Sequence, residues 1–198
     1  MIEAEEIGRR QDEWTDRWHG ALGQDALGLD AGEELSALVL GNHRANYDLW
    51  HEEDQARAPE VSDGGIARIK RSIDRLNQRR NDVVEAMDEL LLREAPGQPD
   101  AAPLHSETPG MMIDRMSILA LKIFHTREQV ERRDATEAHR LRNADRLAAL
   151  EEQRRDLIAC LNSLWREVLR GNRRFKVYRQ MKMYNDPELN PAIYGSRR

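Results

Sequence analysis

The sequence predicts an all-α protein in which four long helices form a bundle, with a short N-terminal helix before them and a C-terminal tail after them. Apolar residues recur every three or four positions along most of the chain, which is the spacing of one helix face. No segment alternates apolar and polar residues for long enough to predict a strand. Prolines and glycines interrupt the helical pattern at a few places, and each interruption predicts the end of a helix.

The short N-terminal helix is predicted over about residues 5–22, and a glycine-containing loop over residues 20–32 follows it. Asp30 and Glu33 have the spacing of a capping box, in which each side chain bonds the other residue's backbone N–H. They predict that the first long helix covers about residues 31–57.

The second long helix is predicted over about residues 62–92, and a connection with three prolines follows it. A connection of this length in a compact domain is either disordered or a functional lid. Thr108 and Pro109 are suited to the N-cap and first position of the third helix, which should reach about residue 133. The fourth helix is predicted over residues 136–170, with Gly171 just past its end. The tail is predicted to contain another helix near residues 175–184.

The composition is that of one helical domain spanning residues 1–198, with an N-terminal segment (1–30), a Pro-rich loop (94–107) and a basic C-terminal tail (171–198). A chain of 198 residues, 39% of them hydrophobic and 34% charged, is long enough to bury a core without disulfides. Its net charge of −5 gives no reason to expect nucleic acid or an anionic membrane as a partner. No apolar run approaches the length of a bilayer span.

The single cysteine, Cys160, excludes an internal disulfide, which suits the reducing cytoplasm. We therefore expect a cytoplasmic protein. Cys160 lies at helical spacing from Leu157, Leu161 and Leu164, so it is predicted to pack in the core rather than to act as a nucleophile.

Polar residues occupy positions on the predicted core faces that packing alone would fill with apolar ones. On the first long helix these are Asn42, Asn46 and Glu53, with Trp50 beside them. A buried asparagine costs a few kcal/mol unless its amide is hydrogen-bonded. Two interpretations follow: the residues form a structural network, or they line a site for a ligand.

The second long helix shows the same feature. Arg80 interrupts its apolar stripe, and Asn81 lies on an adjoining face. A buried arginine needs a carboxylate partner, which Glu53 or Asp114 could supply. The pair would either hold the bundle in register or leave the arginine available to a ligand.

The third helix carries polar residues among apolar ones on its second face, namely Asp114, Ser117, Lys122 and His125 mixed with Ile118 and Leu121. This mixture is typical of a pocket wall or of a second interface. His125 is a candidate acid or base because its ordinary pKa lies near neutrality. The N-terminus of this helix, where Gly110 permits close approach, either binds an anion or is simply capped.

Two further classes of site are not expected. His125 and Glu128 lack the paired Glu-x-x-His arrangement of di-metal bundles, so no metal site is predicted. A basic run near the C-terminus is typical of residues that complement a helix end and acidic neighbours, and nucleic acid is not expected to bind it. It consists of Arg170, Arg173, Arg174, Lys176, Arg179 and Lys182.

Four segments of the chain resemble motifs of a bacterial family known as domain of unknown function 4254. They are NYDLWHEED (residues 46–54), KRSIDRLNQRRN (70–81), ETPGMMIDRMSILALK (107–122) and the tail FKVYRQMKMYNDPELNP. The resemblance covers about residues 35–194. It implies an association with surface-polysaccharide metabolism, because genes of the family are expected near glycosyltransferase and polysaccharide genes, but it carries over no catalytic residue.

The leading hypothesis is a cleft that binds or modifies an anionic or sugar-containing small ligand, with the cofactor and any catalysis left unassigned. The binding set consists of cations for negative charge (Arg80, Arg115 and Lys122), amides for hydroxyl groups (Asn42, Asn46 and Asn81) and a tryptophan for stacking (Trp50). The set for proton transfer is Glu53, Asp114 and His125.

The alternative is a non-enzymatic helical interaction module, either a homodimer or a partner of a glycosyltransferase. It rests on a surplus of apolar residues with no evident core position, namely Trp14, Trp18, Ile118 and Leu121.

Overall fold

The computed structural model describes residues 3–20, 34–179, 181, 188–191 and 195, and within these residues it contains five helices and no strand. The helices are α1 (Ala4–His19), α2 (Glu34–Gln55), α3 (Asp63–Glu94), α4 (Pro109–Glu131) and α5 (Glu137–Leu169). The all-α bundle with a short N-terminal helix is therefore confirmed. The capping box proposed for Asp30 and Glu33 lies outside the described residues.

Three helix starts use the hydroxyl caps that the sequence offers. Ser62, Thr108 and Thr136 each accept a hydrogen bond from the backbone N–H three residues later, which satisfies one of the unpaired donors of the first turn. Gly171 follows α5 with φ 73°, a left-handed conformation that favours glycine. These caps explain why the predicted bounds agree with the observed ones to within a few residues.

Helix α4 is the centre of the bundle, since it contacts all four of the other described helices. This position explains its mixed second face, because a helix surrounded by others has no fully solvated side. Leu121 is 1% exposed on the side that the sequence left ambiguous. Trp14 and Trp18 are also buried, on α1, so most of the apolar residues that favoured an interaction module are core residues of this chain.

Helix α1 is fixed to α5 by a buried arginine. Arg154 is 6% exposed, forms an ion pair with Asp12 and donates a 2.6 Å hydrogen bond to the carbonyl of Gly8. Cys160, which is also on α5, is exposed, so the prediction that it packs in the core was wrong.

The Pro-rich connection between α3 and α4 is held against the chain that follows α5. The backbone N–H of Arg174 donates to the carbonyl of Pro103 (3.1 Å), and that of His105 donates to the carbonyl of Arg174 (2.8 Å). Gln98 accepts a 2.7 Å hydrogen bond from the backbone N–H of Phe175. These bonds give the connection a fixed place, so the expectation of a disordered segment was wrong, and the alternative of a functional lid stays a prediction.

The same contacts change the interpretation of the tail. Residues 175–179 are not helical, so the helix predicted near 175–184 is absent over that stretch, and most of its remainder lies outside the described residues. The bridge to the Pro-rich loop uses backbone groups of this region that a helix would need. Arg179 donates to Glu89 at 2.8 Å, as expected of a basic run with acidic neighbours.

The N-terminus of α4 binds an anion that belongs to the protein itself. Asp88 on α3 accepts a 2.7 Å hydrogen bond from the N–H of Gly110 and another from the hydroxyl of Thr108. Burial raises the pKa of Asp88 to about 6, although both hydrogen bonds favour the carboxylate. Asp88 therefore occupies the space that Gly110 leaves beside this helix end. Of the two interpretations, an anion site and an ordinary cap, the structure supports the cap.

Among the helices formed by the described residues, none combines the length and the apolar character that crossing a membrane requires.

Replacing Gly110 with alanine should destabilise the fold by about 1–3 kcal/mol through overpacking. The added Cβ would lie 2.7 Å from Asp88 Oδ1 and 2.8 Å from the carbonyl oxygen of Val84, and the latter cannot rotate away. Urea unfolding measures the change. Gly41→Ala is the matched control, because its nearest neighbour is Val83 Cγ2 at 4.0 Å and alanine is the better helix former. Equal effects of the two substitutions would contradict the close packing at Gly110.

Candidate functional site

Asparagines of α2 meet a carboxylate of α4 inside the bundle. The side-chain amides of Asn42 and Asn46 each donate a 2.8 Å hydrogen bond to Oδ1 of Asp114. The Asn46 amide also donates to the hydroxyl of Ser117 at 3.0 Å. These bonds explain how amides are tolerated on the apolar stripe, because each buried donor has an acceptor. This part of the polar set is a structural network.

A histidine that the sequence analysis did not single out continues this network into α1. His43 is fully buried; its Nδ1 lies 2.8 Å from Ser117 Oγ and its Nε2 lies 2.9 Å from Thr15 Oγ1. Since the Thr15 hydroxyl donates to the carbonyl of Gln11, its oxygen is left to accept from Nε2–H. Nδ1 then accepts from Ser117, which fixes a neutral tautomer. Burial, with the nearby Arg154 charge, lowers the pKa of His43 to about 3.

A cavity of about 460 Å³, here called the Arg80 cavity, opens beside this network. Four residues of the predicted site line it: Asn46, Trp50, Glu53 and Arg80. The rest of its wall combines apolar and polar side chains, namely Leu49, Asp54, Arg57, Asn77, Ile118 and Leu121. The structure therefore brings together predicted residues of α2 and α3 around one concave surface.

Of the two arginines that line this cavity, Arg80 has the weaker internal pairing. Its side chain is 28% exposed, and its Nε lies 4.0 Å from Asp114 Oδ1, which is too far for a hydrogen bond. Within the described residues the buried Nε has no hydrogen-bond partner. Arg57, by contrast, pairs with Glu53 at 2.9 Å. Arg80 thus keeps donor capacity beside the cavity.

The other predicted binding residues do not lie on this cavity. Asn42 is completely buried behind Asp114, and the half-buried Asn81 does not line it. Arg115 and Lys122 lie on the α5 side of α4, where they line a separate cavity of about 620 Å³. Arg115 is paired there with Glu107 at 2.5 Å. The residues predicted for one cleft therefore lie on two sides of α4.

The three residues proposed for proton transfer are likewise not gathered around one cavity. Glu53 lines the Arg80 cavity, Asp114 is held behind it by two amides, and His125 lines a third cavity of about 340 Å³. Trp50 lies between the first and the third of these cavities and lines both. Its ring stacks on that of His125, with 4.6 Å between centroids and 8° between planes.

His125 belongs to a group of three histidines, here called the histidine cluster (His19, His51 and His125). One ring nitrogen of each lies within 4.8 Å of those of the other two. The members come from the last turn of α1, from α2 and from α4. Of the three, only His125 stands out in the sequence, because no spacing along the chain connects them. His51 was present within the family motif NYDLWHEED without being assigned a role.

Each ring of the cluster is oriented through Nδ1. His19 Nδ1 lies 2.8 Å from the carbonyl oxygen of Thr15, and His51 Nδ1 lies 2.8 Å from that of Tyr47. A carbonyl oxygen only accepts hydrogen bonds, so Nδ1 carries the proton in both rings and Nε2 carries the lone pair. Burial, with the two neighbouring imidazoles, lowers the pKa of His19, which favours this neutral form.

His125 follows the same pattern with a carboxylate in place of a carbonyl. Its Nδ1 lies 2.8 Å from Oε2 of Glu128, one turn further along α4. The Nε2 atoms of His19 and His125 are buried, and neither has a hydrogen-bond partner among the described residues. A buried nitrogen lone pair without a donor costs free energy, so these two atoms require an explanation.

Comparison with known proteins gives a family and no function. A family model described as "Protein of unknown function (DUF4254)" matches residues 36–177, which confirms the resemblance drawn from the sequence motifs. Neither curated proteins nor solved structures show a significant match to this chain. The matched region includes nearly all of α2 and the whole of α3, α4 and α5. It leaves out α1, which supplies Thr15 and His19.

The buried neutral state of His43 should make stability depend on pH. Its pKa in the folded protein, about 3, lies below the ordinary value of 6.5, so the unfolded chain takes up the proton first as pH falls. The stabilisation is complete above pH 6.5 and is lost toward pH 3, with up to about 2 kcal/mol lost between pH 6.5 and 5. Urea unfolding across this range should show a shallower decline for His43→Gln than for the wild type.

A second histidine substitution controls for general effects. His139→Gln changes α5 outside this network and should keep the wild-type pH dependence. Parallel pH profiles for the wild type and His43→Gln would contradict a neutral His43.

Proposed function

The chain belongs to DUF4254, and on the geometry of its Arg80 cavity we propose that it binds a small molecule that carries both a negative charge and hydroxyl groups. The observation that carries the proposal is the half-buried Arg80 beside the cavity, whose Nε has no hydrogen-bond partner among the described residues. A guanidinium group presents several donors in one plane, which suits the oxygens of a carboxylate or a phosphate.

The remaining wall of the cavity supports a ligand with polar and apolar parts. Leu49, Ile118 and Leu121 provide apolar surface, while Glu53 and Asn77 provide hydrogen-bonding groups. A concave site with apolar walls and a few placed polar groups is typical of small-molecule sites, and about 460 Å³ lies within their usual range. Carboxylate and amide groups of this kind hydrogen-bond to hydroxyls.

Trp50 supplies a flat surface for the same ligand. The Trp50 ring stacks on His125, which holds the indole in place, and the side chain also lines the Arg80 cavity. A ring held by stacking has already lost most of its rotational freedom, so a sugar or a base that packs against it pays less entropy. We propose a sugar phosphate or a nucleotide sugar of surface-polysaccharide metabolism, the latter on the family resemblance.

Asn42, Asn46 and Asp114 take a supporting role in this proposal. Their hydrogen bonds are largely satisfied within the protein, and Asp114 holds a negative charge 4.0 Å from Arg80. That charge orients the guanidinium without neutralising it through a close hydrogen bond. An anion that reaches Arg80 would thus meet a cation already in position.

The proposal is tested with defined ligands and one charge-removing substitution. The purified protein is titrated by calorimetry with inorganic phosphate, sugar phosphates and nucleotide sugars, and thermal unfolding is followed in parallel. A true ligand at a hundred times its dissociation constant should stabilise the fold by about 2.7 kcal/mol. Arg80→Gln should weaken binding by about 10–100-fold, because a charge-assisted hydrogen bond contributes roughly 1.5–3 kcal/mol.

Arg79→Gln is the matched control, since Arg79 is the neighbouring residue on α3, is exposed and does not line the cavity. It removes the same charge and should leave the affinity within about twofold. If no compound of the three classes binds, or if both substitutions weaken binding equally, the cavity is not the anion site proposed here.

A further inference from the structure

We propose that His19, His51 and His125 bind a divalent transition-metal ion of the zinc type through their Nε2 atoms. Zinc and related ions take imidazole nitrogens as ligands, and three histidines are a sufficient protein ligand set when water or another molecule completes the coordination. This proposal goes beyond the function proposed for the Arg80 cavity and does not depend on it.

The spacing of the ring nitrogens is close to what a metal requires. Nitrogens bound to a tetrahedral zinc ion at about 2.0–2.1 Å lie about 3.3 Å from one another. In this chain one ring nitrogen of each histidine already lies within 4.8 Å of one ring nitrogen of each of the other two. Small rotations of the three rings would close the difference, and no helix has to change its place in the bundle.

The hydrogen bonds at Nδ1 make up the second feature of a metal site. A metal-binding histidine nearly always donates its other N–H to a carbonyl or a carboxylate, which fixes the tautomer and the ring orientation. All three rings have this arrangement, with the carbonyls of Thr15 and Tyr47 and the carboxylate of Glu128 as acceptors. The nitrogen left for a ligand is Nε2 in each case.

The third feature is the state of these Nε2 atoms. In a cluster that serves packing alone, buried lone pairs would accept hydrogen bonds from neighbouring donors. The Nε2 atoms of His19 and His125 are buried and accept none from the described residues. An imidazole that carries its only proton on Nδ1 cannot donate through Nε2, so three rings in that form cannot satisfy one another. A cation between them would satisfy all three lone pairs at once.

The surroundings hold the rings without blocking the ion. Phe124 stacks on His19 at 4.2 Å and Trp50 stacks on His125 at 4.6 Å, so both rings are supported on a face rather than at Nε2. A cavity of about 340 Å³ adjoins His125 and Glu128, and His19 and His51 do not line it. The three histidines are therefore the protein ligands proposed here, and the ligand that completes the coordination is left unassigned.

The experiment measures zinc binding to the untagged protein after treatment with a chelator. Titration of ZnCl₂ against a chromophoric chelator should give one ion per chain. His19→Gln, His51→Gln and His125→Gln should each lower the affinity at least 100-fold, whereas His105→Gln and His139→Gln should not. Circular dichroism and cooperative unfolding identify the variants that fold. The absence of stoichiometric binding, or binding that the cluster substitutions leave unchanged, would overturn the proposal.

A spectroscopic measurement on the wild-type chain identifies the metal ligands without relying on substituted proteins. X-ray absorption at the zinc edge should show three imidazole ligands at about 2.0 Å. Fewer than three imidazoles around the bound ion would show that the ion binds outside the histidine cluster, and this result would overturn the proposal.

Glu128 should act on the metal through His125 without touching it. Glu128→Ala removes the acceptor of the His125 Nδ1–H and should lower zinc affinity by about 10–100-fold. Glu131→Ala, an exposed acidic position near the same helix end, is the matched control and should have no such effect. If both substitutions change the affinity equally, the effect is one of general charge and Glu128 does not position the ligand.

Discussion

His43 of α2 joins this helix to α1 and α4 through two hydrogen bonds. The relative positions of the side chains further along the three helices depend on these bonds. Its ring is fully buried, with Ser117 of α4 on one nitrogen and Thr15 of α1 on the other. Hydrogen bonds are short and directional, so this layer allows only one register of α1 and α4 against α2. A shift by one residue would leave buried polar groups unsatisfied, at a cost that packing alone would not impose.

The register set at His43 determines which side chains meet further along. From His43 to Trp50 is seven residues on α2, and from Ser117 to His125 is eight residues on α4, about two turns in each helix. Because both helices advance in the same direction, the Trp50 and His125 rings meet face to face. On α1, His19 follows Thr15 by one turn, and its ring contacts those of His51 and His125. The buried layer thus sets the register in which the three histidines meet.

Much of this fold follows from the sequence, because hydroxyl caps, proline and glycine act locally and an apolar stripe identifies the buried side of a helix. The candidate site follows only in part. Asn46 and Arg80 were recognised because each interrupts a stripe, and both line one cavity. Periodicity does not say which helices are neighbours, so it could not show that Arg80 and Arg115, predicted for one cleft, line different cavities. His19 escaped notice because its partners are more than thirty residues away on other helices.

The location of an anion site can be argued from how the chain uses its own charges. A helix N-terminus is a general anion site, but at α4 the carboxylate of Asp88 already occupies it. Arg154, the most deeply buried arginine described, pairs with Asp12 and donates to the carbonyl of Gly8 through its two terminal nitrogens, while its Nε has no partner among the described residues. Arg80 differs from both, since its carboxylate neighbour stays at 4.0 Å and a cavity lies beside it. Folding has partly dehydrated the Arg80 guanidinium without pairing it closely. A ligand that supplies the missing hydrogen-bond acceptors therefore gains the most binding free energy at this group.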